Sequence, residues 1–140
     1  MDIFIGVLSR CLHIGSAVFL VGAAMYGRWM VTPAAGSLEA DGRQKLNDGL
    51  AAAFRPAALV AILALAASGL YNLMPKQAVP SSYWMWFGVK ALLALHIIAV
   101  SLLLGKTGVD GDKRGRWMTG IAMSGLAIMA ISAYLRTLTA

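Results

Sequence analysis

Two histidines are the residues of this chain whose type and position could do chemistry. His13 and His96 are its only histidines, and each lies within an apolar stretch long enough to cross a membrane. Ionisable side chains are costly in a hydrocarbon environment and usually serve a function where they occur. An imidazole inside a membrane helix is a typical metal or haem ligand, so we take the two histidines as the starting point for function.

The composition indicates the class of protein that holds these histidines. Of the 140 residues, 59% are hydrophobic and 13% are charged. Four apolar runs cover about residues 3–30, 56–74, 82–104 and 117–138, each close to the ~20 residues that a spanning helix needs. Because a backbone in lipid must satisfy its own hydrogen bonds, the sequence predicts an all-α integral membrane protein. We expect a single domain, residues 1–140, folded as an up-down-up-down four-helix bundle.

The positions of the cations predict the orientation. They are concentrated between the first and second runs and between the third and fourth: Arg28, Arg43, Lys45, Arg55, Lys106, Lys113, Arg114 and Arg116. By the positive-inside rule these connections are cytoplasmic, and both termini and the loop around Pro75 to Pro80 are outside. The net charge of +6 is thus a topology signal and an affinity for anionic lipid, and nucleic acid is not an expected partner.

One connection carries a helical pattern of its own. Residues 37–54 place apolar side chains at helical spacing among charged ones. This pattern predicts a short cytoplasmic interfacial helix that precedes the second span. Pro56 follows it and suits the first turn of a new helix.

The two histidines are predicted to lie at similar depths. Each is roughly a dozen residues from the outer end of its helix, which corresponds to about 16 to 18 Å at ~1.5 Å per residue. In the predicted bundle the first and third helices run in the same direction and lie diagonally, roughly 13 Å apart. That separation suits a haem b held between two imidazoles, so His13 and His96 are predicted to be its axial ligands.

Three cations in the outer half of the spans are candidates for holding the haem propionates. Arg10 lies one turn outward from His13, Lys90 precedes His96, and Arg136 lies near the outer end of the fourth helix. No acidic residue lies within a span to pair with them, and a propionate would supply the missing anion. Ser9 and Ser16 lie one turn on either side of His13 and could orient its ring, as could helix carbonyls.

Simpler interpretations stay open for the same residues. The histidines could bridge helices through hydrogen bonds without any cofactor. The three cations could extend to the outer lipid headgroups. Cys11 is the only cysteine, so an intrachain disulfide is excluded, and two histidines with one cysteine are too few for a zinc site. The methionines are scattered in depth, which favours packing over copper transport.

Three segments carry a family resemblance. They are SRCLHIGSAVFLVGAAMYGR in the first span, the ending LAASGLYN of the second span after Arg55, and WFGVK at the start of the third. Together they resemble two groups of small bacterial membrane proteins, the copper-resistance D family and the membrane protoporphyrinogen oxidase family. The resemblance to the oxidases implies a haem-binding bundle with His13 as ligand and Lys90 as a functional cation. The chain departs from that group at Arg10, where lysine is usual, and in its second histidine, His96.

The sequence therefore predicts a haem b-binding protein of the bacterial cytoplasmic membrane. Its expected work is one-electron transfer, alone or as a subunit of a redox complex, with a quinone or a partner protein as the exchange partner. A homo-oligomer or a larger membrane complex is compatible with this reading. Two alternatives stay open. One is a haem-dependent membrane protoporphyrinogen oxidase, and the other is a haem-free accessory or copper-handling protein. Whether the chain is an enzyme is not decided by its sequence.

Overall fold

The structure, a computed structural model, describes residues 2–73 and 79–138. Its main elements are the helices α1 (Asp2–Tyr26), α2 (Ala40–Leu73), α3 (Ser81–Leu104) and α4 (Gly111–Thr137). Between α1 and α2 the chain forms a π-helix, Gly27–Val31, a single α-turn, Thr32–Ala34, and a 3-10 turn, Ala35–Ser37. These described residues contain no strand, so the predicted all-α class is confirmed. The predicted loop positions Pro75 and Lys76 lie outside the described residues.

Four helical stretches are long and apolar enough to span a membrane. They are Ile3–Ser37, Ala40–Leu73, Ser81–Leu104 and Gly111–Thr137, and each contains an 18-residue window whose mean hydropathy lies between 1.6 and 2.2. Many large apolar side chains on their outer faces are exposed in the isolated chain, as lipid-facing side chains are. The chain is therefore a multi-pass membrane protein.

The four helices form the predicted up-down-up-down bundle. α1 packs against α2 and α4, while α3 packs against α4 and α2, so α1 and α3 lie diagonally opposite each other. The first pair is antiparallel, since Ser9 contacts Asn72 whereas Phe19 stacks on Phe54. We call the end that holds the α1–α2 and α3–α4 connections the basic end, because eight cations lie there: Arg28, Arg43, Lys45, Arg55, Lys106, Lys113, Arg114 and Arg116.

Helix α2 differs from the sequence prediction. Residues 40–54 are helical, as predicted, but they do not form a separate interfacial helix, because they continue into the second span as one helix of 34 residues that contains Pro56. Proline removes one backbone hydrogen bond, and the bonds on either side keep the helix continuous. A helix of this length measures about 51 Å, well above the ~30 Å of a bilayer core. Its projecting part is held by Asp48, whose Oδ1 accepts a 2.8 Å hydrogen bond from the backbone N–H of Gly108.

The apolar core lies in the half of the bundle nearer the basic end. It is a single cluster of buried residues to which all four helices contribute: Leu20, Ala24, Ala58, Ala61, Ile97, Val100, Leu104 and Ile121. Small residues let the helices approach closely, which is the usual way in which membrane helices pack. The tightest example is Gly125 of α4, where a Cβ atom would lie 2.7 Å from both methyl groups of Val21.

Candidate functional site

His13 lies on the interior face of α1 and is half-buried. Its Nδ1 lies 3.1 Å from Oγ of Ser68 on α2. The Ser68 hydroxyl is also in contact with the carbonyl oxygen of Ala64, one turn earlier in the same helix. A hydroxyl has one proton to donate, and the short contact to Ala64 takes it, so we assign Nδ1–H of His13 as the donor to Ser68. The lone pair of the neutral ring is then on Nε2, which is the atom that ligates iron in haem proteins.

Gly69, the residue after Ser68, also lies against the His13 ring. A Cβ atom at Gly69 would lie 3.3 Å from Cε1 of His13, so glycine lets the imidazole rest against α2. The expected partner Ser9 instead has its Oγ 3.2 Å from Oδ1 of Asn72 and 3.4 Å from the carbonyl oxygen of Ser68. Ser9 is thus not the serine at Nδ1 of His13, and the serine that lies there, Ser68, was missed although it is within the segment LAASGLYN.

His96 makes similar contacts, with a serine and a glycine, in the second hairpin. Its Nδ1 lies 2.9 Å from Oγ of Ser124 on α4, and a Cβ atom at Gly120 would lie 3.4 Å from its Cε1. In both hairpins the serine begins the same tripeptide, Ser68-Gly69-Leu70 in α2 and Ser124-Gly125-Leu126 in α4. The two hairpins thus share a histidine on the first helix and its serine partner on the second. They differ in exposure, because His96 is exposed on the surface of the bundle.

The contacts place the two histidines at different levels along the bundle. Ser124, which binds His96, is followed by Gly125, which packs on Val21. Val21 is roughly two turns beyond His13 on α1, about 12 Å at ~1.5 Å per residue. His96 is therefore nearer the basic end than His13. Counting from helix ends assumed that α1 and α3 begin at one level, whereas the contacts of Ser124 and Gly125 give the two helices a different stagger.

Of the three predicted cations, the structure brings one close to His13. Lys90 of α3 is half-buried and lies within electrostatic range of the His13 ring, across the diagonal of the bundle. Arg10 is exposed, one turn before His13 on α1, and Arg136 is exposed at the end of α4. The site is therefore built from α1, α2 and α3, with His13 at its centre, Ser68 and Gly69 behind the ring, and Lys90 opposite.

The donor set of this site fits haem better than a bare metal ion. Among the residues that the structure describes, no group of three His, Cys, Asp or Glu side chains lies together. A zinc site needs three or four such ligands, whereas a haem iron has four from its porphyrin and needs one or two from the protein. A half-buried imidazole whose Nδ1 lies against Ser68, within electrostatic range of a cation, meets that requirement.

The chain matches no protein-family model, and neither a curated protein nor a solved structure is detectably similar to it. The resemblance to the copper-resistance D and protoporphyrinogen oxidase families therefore stays a prediction from the three quoted segments.

Proposed function

We propose that this chain is a haem b-binding protein of the cytoplasmic membrane that transfers single electrons. The observation that supports it best is the contact of His13 with Ser68, because an Nδ1–H that donates to this hydroxyl would leave the lone pair of the half-buried imidazole on Nε2, the atom that ligates iron. A haem bound there supplies a reversible one-electron couple whose potential depends on its ligands and on burial. An electron carrier within the membrane must exchange electrons with a partner, and a quinone or a second redox protein would serve as that partner. The positive-inside rule orients the basic end toward the cytoplasm.

Lys90 is the residue that we assign to a haem propionate. Lys90 is half-buried and lies within electrostatic range of His13, and an ammonium group attracts a carboxylate strongly where water is scarce. A propionate on a haem beside His13 would supply that charge. Arg10 is the second candidate, because it lies on α1 one turn before His13. Arg136 is exposed at the very end of α4 and is the weakest of the three.

His96 is assigned to this haem less readily than His13. Two axial ligands must meet on opposite sides of one iron atom, yet His96 is exposed and lies roughly 12 Å nearer the basic end than His13. We therefore assign ligation to His13 and use His96 as the matched comparison. Both rings bind a serine through Nδ1 and lie over a glycine, so replacing either one removes an equivalent set of contacts.

A reduced-minus-oxidised visible spectrum of protein purified from cells with ample haem tests the proposal. Wild-type protein and the His96→Ala variant are expected to show the α and Soret bands of haem b, and His13→Ala is expected to lose them. A wild-type protein without haem bands would refute the proposed function. Equal loss in both variants would instead establish that the two histidines ligate one haem.

A second candidate function is the oxidation of protoporphyrinogen. It is favoured by one observation, the closeness of His13 and Lys90, which are the two positions that the family resemblance assigns as haem ligand and functional cation. Haem-loaded protein, assayed with protoporphyrinogen and a quinone as electron acceptor, tests it. Turnover that falls in Lys90→Met while the haem bands persist would favour the enzyme. Absence of turnover in haem-loaded wild-type protein would leave electron transfer as the function.

A further inference from the structure

A cleft at the basic end separates the end of α1 from the start of α4. It has a volume of about 540 Å³ and is lined by Arg28, Thr32, Gly111, Asp112, Gly115, Arg116 and Thr119. The lining thus includes two arginines, two threonines and a single acidic residue, Asp112. Within the described part of the chain, neither Arg28 nor Arg116 has a carboxylate within salt-bridge distance.

The position of Arg28 depends on the π-helix. A π-helix widens the turn by one residue, is less stable than an α-helix and is often found at functional sites. Here the carbonyl oxygen of Gly27 accepts hydrogen bonds from both the backbone N–H and the hydroxyl of Thr32, the latter at 2.8 Å. Gly27 also lets α4 approach, since a Cβ atom there would lie 2.7 Å from Sδ of Met118. The π-helix thus carries Arg28 directly against the start of α4.

The guanidinium of Arg28 is held by one nitrogen only. Nε donates a 3.1 Å hydrogen bond to Oγ1 of Thr119, whose own hydroxyl donates to the carbonyl oxygen of Gly115 at 3.0 Å. Gly115 lies beside the guanidinium, since a Cβ atom there would make an ordinary contact with Nε of Arg28 at 3.9 Å. With Nε fixed, the two terminal nitrogens of Arg28 remain to bind a ligand, and their planar geometry matches two oxygens of one phosphate.

Each arginine of the cleft precedes a tryptophan in the sequence. Trp29 follows Arg28, and Trp117 follows Arg116, and tryptophan is enriched where a membrane meets water. From the two arginines of the lining, the fixed guanidinium of Arg28 and these tryptophans, we infer that the cleft binds a phosphate group, with an anionic phospholipid headgroup as its source. The ligand would bridge α1 to α4 through Arg28 and Arg116. This inference is independent of haem binding.

Thermal unfolding of the full-length protein in a neutral detergent tests the inference with three probes. These are dioleoyl-phosphatidylglycerol, dioleoyl-phosphatidylcholine and inorganic phosphate. Phosphatidylglycerol is expected to raise the midpoint of unfolding in a saturable manner, and phosphatidylcholine is not. A rise with inorganic phosphate and none with phosphatidylglycerol would keep the site and assign it to a soluble phosphate compound.

Two double variants separate this cleft from the general charge of the basic end. Arg28→Gln/Arg116→Gln removes both guanidiniums, and Arg43→Gln/Lys45→Gln removes two exposed charges of α2 at the same end. We expect the first to weaken the phosphatidylglycerol effect about tenfold in midpoint concentration and the second to leave it unchanged. Thr119→Val, which keeps every charge and frees Nε of Arg28, is expected to weaken the effect too, and it covers the case in which the double variant does not fold. Equal responses in all variants, or no response to any probe, would overturn the inference.

Discussion

Oγ of Ser68 on α2 and Nδ1 of His13 on α1 lie 3.1 Å apart, so the orientation of the imidazole is set by the neighbouring helix. Ser68 is 5% exposed, which leaves water little access to its hydroxyl. A buried polar group that loses its partner without water to replace it carries the full cost of desolvation. The contact therefore fixes the ring and its tautomer at once, as the outer contacts of metal-binding histidines commonly do.

Replacing Ser68 with alanine is expected to weaken haem binding without abolishing it. The variant keeps His13 but removes the acceptor of its Nδ1–H, so the ring can rotate and Nε2 is no longer held toward the ligand. Loss of such an outer contact typically lowers metal affinity by about 10- to 100-fold. Haem titration of apoprotein, followed at the Soret band, measures the change.

Ser124→Ala is the matched control for this experiment. It removes the equivalent acceptor from His96, at 2.9 Å from Nδ1, in the second hairpin. Haem affinity should stay at the wild-type value in this variant. A loss as large in Ser124→Ala as in Ser68→Ala would contradict the assignment of the site to His13.

Gly69→Ala should perturb the same ring from the other side. The new methyl group would lie 3.3 Å from Cε1 and 3.6 Å from Nδ1 of His13, so the imidazole must shift by a few tenths of an ångström. We expect bound haem with a shifted reduction potential, measured by redox titration of the α band. Gly120→Ala brings a methyl group to 3.4 Å from Cε1 of His96, a normal contact, and an equal shift in that variant would argue against the proposal.

The sequence was sufficient to predict the fold because spanning helices obey a simple length rule. Each of the four apolar runs is close to the ~20 residues needed to cross a bilayer, and short connections leave an up-down-up-down bundle as the simplest arrangement. The boundary before Pro56 was the exception. Proline was taken as the first turn of a new helix, whereas the structure continues one helix through it.

The details of the site depend on stagger between helices, which the sequence does not encode locally. A serine in an apolar helix reads as a packing residue, and only the offset of α2 against α1 brings Ser68 to His13. Equal depth of the two histidines was inferred by counting from helix ends, which holds only when those ends are level. Packing of Val21 on Gly125 sets a different stagger.

Arg114 should stabilise the basic end through the backbone of α3. It is 5% exposed, and its two terminal nitrogens lie 2.8 Å from the carbonyl oxygen of Leu104 and 2.9 Å from that of Lys106. Leu104 ends α3 and Lys106 lies two residues beyond it, so neither carbonyl has a further helical turn to bond. We expect Arg114→Ala to lower the free energy of unfolding by about 3 kcal/mol, from the loss of charge-assisted hydrogen bonds.

Unfolding in a titration with sodium dodecyl sulfate measures the effect of Arg114→Ala. Lys106→Ala is the control, because it removes an exposed cation nearby while leaving the backbone carbonyl that Arg114 binds. That variant should stay within about 0.5 kcal/mol of wild type. If the two variants lost equal stability, the effect would be one of charge and not of the hydrogen bonds to α3.

The contact between Val21 and Gly125 should control the packing of α1 on α4. An alanine at position 125 would bring its methyl group to 2.7 Å from both Val21 methyl groups, closer than atoms can approach. Valine is branched at Cβ and cannot rotate away, so the helices must separate, at a cost of about 1–3 kcal/mol. Val21→Ala removes the obstructing methyl groups, and the double variant should therefore be more stable than Gly125→Ala alone.

A double-mutant cycle of detergent unfolding measures this coupling between positions 21 and 125. Gly22→Ala is the control, since a methyl group there meets nothing within 4 Å. Additive effects of the two changes would show that α1 and α4 do not touch at this point in the folded protein.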